Sequence, residues 1–378
     1  MEKFTRTDTS FLGSWWWNID KWLLSAITVL IIIGFVLLFA ASPIVAYRIG
    51  TKSTFFISKQ MFFLPLALFT LFFFSSLNEK YIKIIASLIF AGALIAMVIV
   101  LFKGSDIKGS KRWINLLGRP IQPSEFMKPA FAVISSLFLC LGHITTLKIK
   151  ERLIEIKGYM VAIFFWGLSC LLLILQPDYG MMLTVTAIFT AEIIVLGVKK
   201  RWFFILIGFG LSSIFLGYQF VSHVRSRIDG FLSKSPSDNY QLRTALEAFS
   251  NGGFFGRGPG EGQSQVPDAH TDFILAIAGE QFGFFLCFII LSLYVFILLR
   301  GISNIYNSKN QFKIIATMGL LTQFGFQAFV NMASTLGLIP TKGMTLPFIS
   351  YGGSSLISTG ILMGIILALC SKNESEVL

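Results

Sequence analysis

Ten apolar runs recur along this chain, at residues 22–41, 56–76, 82–102, 126–144, 159–175, 179–197, 202–222, 273–299, 314–334 and 351–370. A run of about 18 or more apolar residues is long enough for a helix to cross the hydrocarbon of a bilayer. The pattern predicts an all-α polytopic membrane protein of about ten transmembrane helices, with one long extracytoplasmic loop at 223–272. A transmembrane β-barrel would instead show alternating segments of about 10 residues. Composition agrees: 54% of the 378 residues are hydrophobic and 13% charged, where soluble domains carry roughly a quarter. The expected organisation is an N-terminal segment 1–21, a membrane domain 22–370 and a tail 371–378, without a soluble domain.

The N-terminus does not read as a cleavable signal. Glu2, Asp8 and Asp20 are mixed with Lys3, Arg6 and Lys21, and Trp15-Trp16-Trp17 form an interfacial belt before the first run. Cys140, Cys170, Cys287 and Cys370 lie in apolar runs without a CxxC pair and read as small packing residues. His143, His223 and His270 are too scattered to suggest a zinc site. The net charge of +12 sits in short loops between spans. That placement points to anionic lipid or an anionic substrate, and away from nucleic acid.

The connections are of two kinds, and alternation puts them on opposite faces. Loops 77–81, 145–158, 198–201 and 300–313 are short and charged, with Lys199-Lys200-Arg201 the densest run. Loops 42–55, 103–125, 176–178, 223–272 and 335–350 hold glycine, proline and mixed polar residues. Lysine and arginine divide almost evenly between the faces, so their tally does not orient the chain. The compact basic runs favour the N-terminal face as cytoplasmic. The cations opposite then share their loops with every unusual motif, as a site for an anionic headgroup requires.

Within loop 223–272, Leu242, Ala245, Leu246 and Phe249 fall at i, i+3, i+4, i+7 and predict a short amphipathic helix on the membrane surface, ended by Asn251-Gly252. The stretch "GGFFGRGPGEG" follows. It suits either a flexible connector or backbone N–H groups converging on an anion, and it lacks the Gly-Lys-Ser/Thr of a P-loop. Next comes "VPDAHTDFI". Asp272 stands at the mouth of span eight, where partial desolvation pushes a carboxylate towards the range of a general base. An N-cap accounts for it equally well, and the two roles are compatible. His270 and Thr271 are placed to hydrogen-bond a substrate. Asp268 shares a face with Asp272 if the helix extends back, giving a base with an orienting partner or two ligands for a divalent ion beside phosphate. Glu280 lies about 12 Å deeper along the same helix; it is either functional or an interhelical hydrogen-bonding group. Glu192 reads as structural.

In "QPSEFMK", 122–128, Pro123, Ser124 and Glu125 are helix-start residues. Lys128, one turn inside the span, requires an acidic or phosphate partner, and Lys111, Arg112 and Arg119 precede it on the same face. Asp178, in "QPDYG" at 176–180, suits a tight turn. Between spans nine and ten, "GLIPTKGMTLPFISYGGSS" is apolar yet broken by Pro340, Gly343, Pro347 and Gly352-Gly353. Irregular backbone at membrane depth survives only where it is buried in protein or lines a cavity. The stretch therefore reads as cavity wall, with Lys342 a headgroup contact.

The stretches "KRWI" at 111–114, "QPSEFMKPA" at 122–130, "QPDYG" at 176–180, "AHTDFI" at 269–274 and "PTKGMTLPFISYGGSS" at 340–355 together resemble the SEDS family of shape, elongation, division and sporulation proteins. The Pro-Thr-Lys-Gly and Thr-Leu-Pro elements, with "ASPIVAYRIG" at 41–50, are closer to its division branch, FtsW, than to RodA; SpoVE is another relative. The resemblance implies a peptidoglycan glycosyltransferase that polymerises lipid II in the bacterial inner membrane at the division septum, with both termini cytoplasmic. It assigns the acid essential for polymerisation to Asp272 and the lysine of the span-four motif to Lys128. It implies a class B penicillin-binding transpeptidase and division regulatory proteins as partners. This chain departs from the family pattern with Asp268 where Glu is frequent and with Gln263-Ser264-Gln265 where basic residues are frequent.

The enzyme reading makes Asp272 the base and Lys128, Arg112, Arg243 and Lys342 the candidates to stabilise a pyrophosphate leaving group. No cofactor is certain; a divalent cation, Mg or Mn, remains open. A flippase for the same lipid would use Glu280 and acids on both faces, and a division scaffold would need no acid at Asp272. The unusual polar residues gather on one face, which favours the enzyme.

Overall fold

The computed structural model describes residues 10–107, 110–116, 118–149, 152–198, 200–233, 240–262 and 266–371. In chain order the elements are α1 (Phe11–Asn18), α2 (Lys21–Arg48), α3 (Phe55–Ser75), α4 (Glu79–Lys103), strands β1 (Ser105–Ile107), β2 (Ser110–Leu116) and β3 (Arg119–Ile121), then α5 (Pro123–Cys140). Strands β4 (His143–Ile149) and β5 (Arg152–Lys157) lead to α6 (Gly158–Leu175), α7 (Tyr179–Val195), α8 (Lys200–Phe220), α9 (Ser222–Ser233), α10 (Tyr240–Gly252), α11 (Ile274–Ile305), α12 (Gln311–Thr335) and α13 (Gly353–Leu369). A long helix thus occupies each of the ten apolar runs. Among the described residues, seven helices (α2, α3, α4, α6, α8, α11 and α12) are long and apolar enough to cross a membrane, and α7 and α13 are apolar but shorter. The chain is a multi-pass, predominantly helical membrane protein.

The structure redraws several boundaries. Helix α2 continues through Pro43 to Arg48, because neighbouring helices in a bundle tolerate proline inside an apolar helix. Loop 103–125 folds into an antiparallel ribbon β1-β2-β3. Helix α5 stops at Cys140, short of the expected 144, and a β4–β5 hairpin pairing His143 with Lys157 and Ile149 with Arg152 follows. The β-branched run Ile144-Thr145-Thr146 favours extended backbone there. Within loop 223–272, α9 was not anticipated. Gln263-Ser264-Gln265 and Lys199 lie outside the described residues.

Small residues set the closest helix contacts. A Cβ on Gly360 or Gly364 of α13 would stand 2.5 Å from the carbonyl of Ala67 or 2.7 Å from that of Leu71 in α3. Without a solvophobic force between helices in lipid, such close backbone packing holds a bundle together. Away from the candidate site, Arg300 and Asn304 of α11 donate to Asp20, the N-cap of α2, at 2.9 and 3.0 Å. Glu192 is fully buried on α7, against Gly319 of α12.

Helix α11 is broken, contrary to the single span expected. Gly283 has φ +78° and ψ −179°, which opens the helical hydrogen-bond ladder. The glycine-rich stretch fills that break. Arg257 N donates to Glu280 O and Gly258 N to Gln281 O, both at 3.0 Å, while Phe284 N and Phe285 N donate to Gly253 O and Phe254 O at 3.0 and 3.1 Å. Gly260 N donates to the Gln281 side chain at 3.0 Å. The stretch is therefore neither a loose connector nor an anion cradle: these N–H groups are committed to α11. Helix α10 docks alongside through Thr244, Ala245, Ala248 and Gly252, a small-residue face. The larger-residue face expected from periodicity splits: Leu242 packs by Gly337, Phe249 covers Gly279, and Leu246 stays exposed.

At Gly283 a side chain meets both a left-handed backbone and the carbonyl of Phe254, 2.3 Å from the Cβ position. Gly283→Leu is expected to destabilise by about 1–3 kcal/mol, read as a lower thermal midpoint in detergent and faster protease cleavage within 253–262.

Candidate active site

Residues 266–273 form a turn before α11. Asp268 takes a left-handed conformation, φ +52°, and its carbonyl accepts hydrogen bonds from Thr271 N at 3.0 Å, Phe273 N at 3.4 Å and Thr271 Oγ1 at 3.2 Å. The helix does not run back to Asp268. Phe273 occupies the N-cap position and makes no side-chain cap hydrogen bond, so Asp272 stands one residue before the cap. The Asp272 carbonyl accepts from Asn331 Nδ2 at 3.0 Å and Thr335 Oγ1 at 3.2 Å, both on α12. Its carboxylate lies against Gly343, where a Cβ would stand 3.0 Å from Oδ2.

The irregular segment 336–352 braces this turn. Asn331 Nδ2 also donates to Met344 O at 2.6 Å, Ser350 Oγ donates to Thr271 O at 2.6 Å, and Tyr351 N donates to His270 O at 2.8 Å. Two non-helical stretches satisfy one another's backbone, as protein at membrane depth requires.

Between them opens a cavity of about 640 Å³, walled by Asp268, Thr271 and Asp272 and by four cations, Lys59, Arg112, Arg119 and Arg227. A smaller cavity of about 180 Å³ adjoins it, sharing Asp268, Asp272, Arg227 and Gly343 and reaching Lys342. The Arg119 guanidinium stacks 3.6 Å from the centre of the Phe62 ring, a cation–π seat. Arg227, on α9, donates to Thr341 O at 3.2 Å, and its charge acts on Asp272 and Asp178.

Asp178 is the buried hub of this end of the bundle. Its side chain N-caps α7 through Met181 N at 3.5 Å and accepts from Gln122 Nε2 at 3.1 Å and Lys342 Nζ at 3.2 Å. Arg112 lies 3.7 Å away and donates to the carbonyls of Gln176, at 3.2 Å, and Pro177. Burial opposes ionisation of Asp178, but Lys342 and Arg112 outweigh it and hold the carboxyl below its usual range. Gly180 clears the way for Lys342, whose Cε would stand 2.0 Å from a Cβ there. "QPDYG" is therefore more than a turn.

Lys128 is fully buried and does not line the cavity. Its Nζ lies 2.9 Å from Glu125, the acidic partner its position demanded, and donates to Gln327 Oε1 at 3.0 Å. Gln327 donates to Thr345 O at 3.1 Å, and Thr345 shares a 2.6 Å hydrogen bond with Ser355. Glu125, Thr345 and Ser355 do line the cavity, so Lys128 acts one layer behind it.

Of the residues expected to bind substrate, Arg112, Asp268 and Thr271 reach the main cavity with Asp272. Lys342 reaches only the smaller one. Asp178 is spent on the hub. Lys111 is exposed and outside both cavities. Arg243 is paired with Glu247 at 3.0 Å on the exposed face of α10, because the small-residue face of that helix turns inward. His270 packs with its ring 4.0 Å from that of Phe56 and 5.4 Å from that of Tyr351, and lines neither cavity. Glu280 is fully buried beside Gly262 and lines neither cavity.

Lys59 and Arg227 were missed. Lys59 obeys the argument that singled out Lys128, a cation just inside a span. Arg227 sits on α9, which Val224, Ile228 and Phe231 signal at i, i+4, i+7. Among the described residues no cluster of three or more His, Cys, Asp or Glu side chains is placed to hold a metal ion. Asp268 and Asp272 on one cavity wall match the donors of a divalent ion that takes its other ligands from phosphate and water.

A family model described as cell cycle protein, FtsW/RodA/SpoVE, matches residues 21–375. A probable peptidoglycan glycosyltransferase FtsW of Caulobacter vibrioides is 39% identical over 372 residues, covering 98% of this chain and 93% of that protein. One of the same name from Hydrogenovibrio crunogenus is 31% identical, over 96% and 94% of the two chains. Among solved structures, a chain of a peptidoglycan synthase complex that coordinates polymerization and crosslinking superposes with TM-score 0.74 at 23% identity, over 93% of this chain and 97% of that one. The rod shape determining protein RodA of Thermus thermophilus gives 0.68 at 24%, over 94% and 97%.

Removing the Asp178 carboxylate leaves the partly buried cations Lys342 and Arg112 without their shared counter-charge. Asp178→Ala is expected to cost about 3–5 kcal/mol of stability, measured by thermal unfolding. The contribution of Asp178 is full above its ordinary value of 3.8 and is lost as pH falls through the lower folded value. His270 acts in the same direction in a higher pH window. Burial pulls its pKa from 6.5 to about 4, so it stays neutral in the fold while the unfolded chain takes up a proton. Stability is expected to fall from pH 6.5 to about 4, and His270→Phe to flatten that slope in pH-dependent melts.

Proposed function

The chain belongs to the FtsW/RodA/SpoVE family of cell cycle proteins, and from that premise we propose that it is a peptidoglycan glycosyltransferase that polymerises lipid II during cell division, with Asp272 as its general base. The observation that carries this reading is the placement of Asp272: an acid at the mouth of α11, in the wall of a cavity lined by four cations.

The chemistry follows from the charges. The acceptor's 4-hydroxyl gives its proton to Asp272 as its oxygen attacks the donor's anomeric carbon. The bond from that carbon to pyrophosphate breaks, and polyprenyl pyrophosphate departs. An α-linked donor becomes a β-1,4 link by one inverting displacement, so no second carboxylate is needed as nucleophile. Lys59, Arg112, Arg119 and Arg227 receive the charge of the leaving group. Asp268 and Asp272 are the residues that would hold a divalent cation, which would screen pyrophosphate. The cavity volume falls within the ordinary range of roughly 300–1,000 Å³ for ligand sites.

Both saccharides remain tethered to lipid, which accounts for an acid at the mouth of a span. The site faces the extracytoplasmic side of the bacterial inner membrane at the septum, with the basic loops and both termini cytoplasmic. The ten-helix domain works with a class B penicillin-binding transpeptidase and division regulators.

The test supplies labelled lipid II to the purified chain with its transpeptidase partner. Wild type is expected to yield glycan polymer on a gel. Asp272→Ala, with an unchanged melting temperature, is expected to lose activity by at least about 10²–10⁴-fold. Polymer from the folded Asp272→Ala protein would overturn the assignment of the base. Lipid flipping by wild type without polymer, unchanged by Asp272→Ala, would overturn the enzyme reading.

A further inference from the structure

At the end of the bundle away from Asp272, α5 and α7 finish and α6 and α8 begin. Helix α8 packs on α7, and a cavity of about 550 Å³ lies between it and α6. Its inner wall is Ile163, Trp166, Phe189, Leu206 and Phe209. Trp166 is itself fixed by stacking on Phe189 at 5.7 Å and by an edge contact with Phe209 at 4.8 Å. The wall is therefore preformed. At its mouth sit Tyr159, Trp202 and Arg201, two amphipathic aromatics and, among the described residues, the one cation of the lining.

Apolar cavities of even about 150 Å³ stay dry. In a bilayer the neighbour available to fill one is a hydrocarbon chain, and leaving it empty forfeits dispersion contacts on every wall. Tyrosine and tryptophan mark headgroup depth, which places Arg201 where a lipid phosphate lies, with apolar walls extending inward from it. Basic pockets between membrane helices select anionic headgroups.

We propose that this cavity is a binding site for an anionic phospholipid of the leaflet opposite the catalytic cavity, one acyl chain seated between α6 and α8 and the headgroup phosphate held by Arg201. The site is separate from the polymerising centre and does not depend on the reading of Asp272.

The test uses the full chain in nanodiscs containing phosphatidylglycerol or phosphatidylcholine, each with a photoreactive group midway along one acyl chain. Crosslinked peptides are mapped by mass spectrometry. The phosphatidylglycerol probe is expected to label Ile163, Leu206 and neighbouring residues about fivefold more than the phosphatidylcholine probe, and Arg201→Glu to remove that preference. Ile163→Trp, which fills the cavity, is expected to abolish labelling there while labelling of the exposed face of α4 persists as an internal control for insertion. Equal labelling by both probes, labelling no denser than on α4, or displacement by a polyprenyl phosphate but not by excess unlabelled phosphatidylglycerol would each overturn the proposal.

Discussion

A single buried carboxylate organises the working end of this bundle. Asp178 draws in Gln122 from the start of α5, Arg112 from the ribbon, Lys342 from the segment before α13, and the first backbone N–H groups of its own helix. Each partner comes from a different part of the chain. In a low-dielectric interior a charge must be compensated on all sides, so the carboxylate ties these elements together at one point.

The position of Asp272 follows from that hub by a short route. Lys342 anchors the segment that continues into Gly343, and Gly343 lies against the Asp272 carboxylate. Asn331 holds both sides of the contact, bonding the carbonyls of Asp272 and Met344. Asp272 is thus located by hydrogen bonds from α12 side chains to its carbonyl, leaving its own side chain in the cavity wall. Behind the wall, the Lys128–Glu125 pair and the relay through Gln327, Thr345 and Ser355 fix the facing surface in the same manner.

Much of this was legible in the sequence where the signal is local. The apolar runs located the helices, and Lys128 with Glu125 is an i, i+3 pair that charge and spacing announce. Proline and glycine at 340–353 marked the cavity wall. Asp272 stood out because acids are costly at the mouth of a span. What was not legible depends on partners distant in the chain. Asp178 reads locally as a turn residue because Arg112, Gln122 and Lys342 lie far from it in sequence. His270 and Arg243 have side chains suited to binding, and only packing shows one packed against aromatic rings and the other turned to the outer face of α10. The break in α11 was hidden because Gly283 is a single small residue in an apolar run, and the backbone that completes it comes from the loop some 25 residues earlier.

That break bears on how the protein meets bilayers of different thickness. Unbroken, the 32 residues of α11 would rise about 48 Å, far beyond the roughly 30 Å of hydrocarbon. Divided at Gly283, residues 284–305 rise about 33 Å, close to one bilayer. The inner arm that follows Asp272 is instead clasped by the glycine-rich loop and by α10. Hydrophobic mismatch is relieved by helix tilt, and a helix broken at Gly283 need not tilt as one rod. The backbone at Asp272 is held by protein contacts from α12, and lipid composition is free to vary around it.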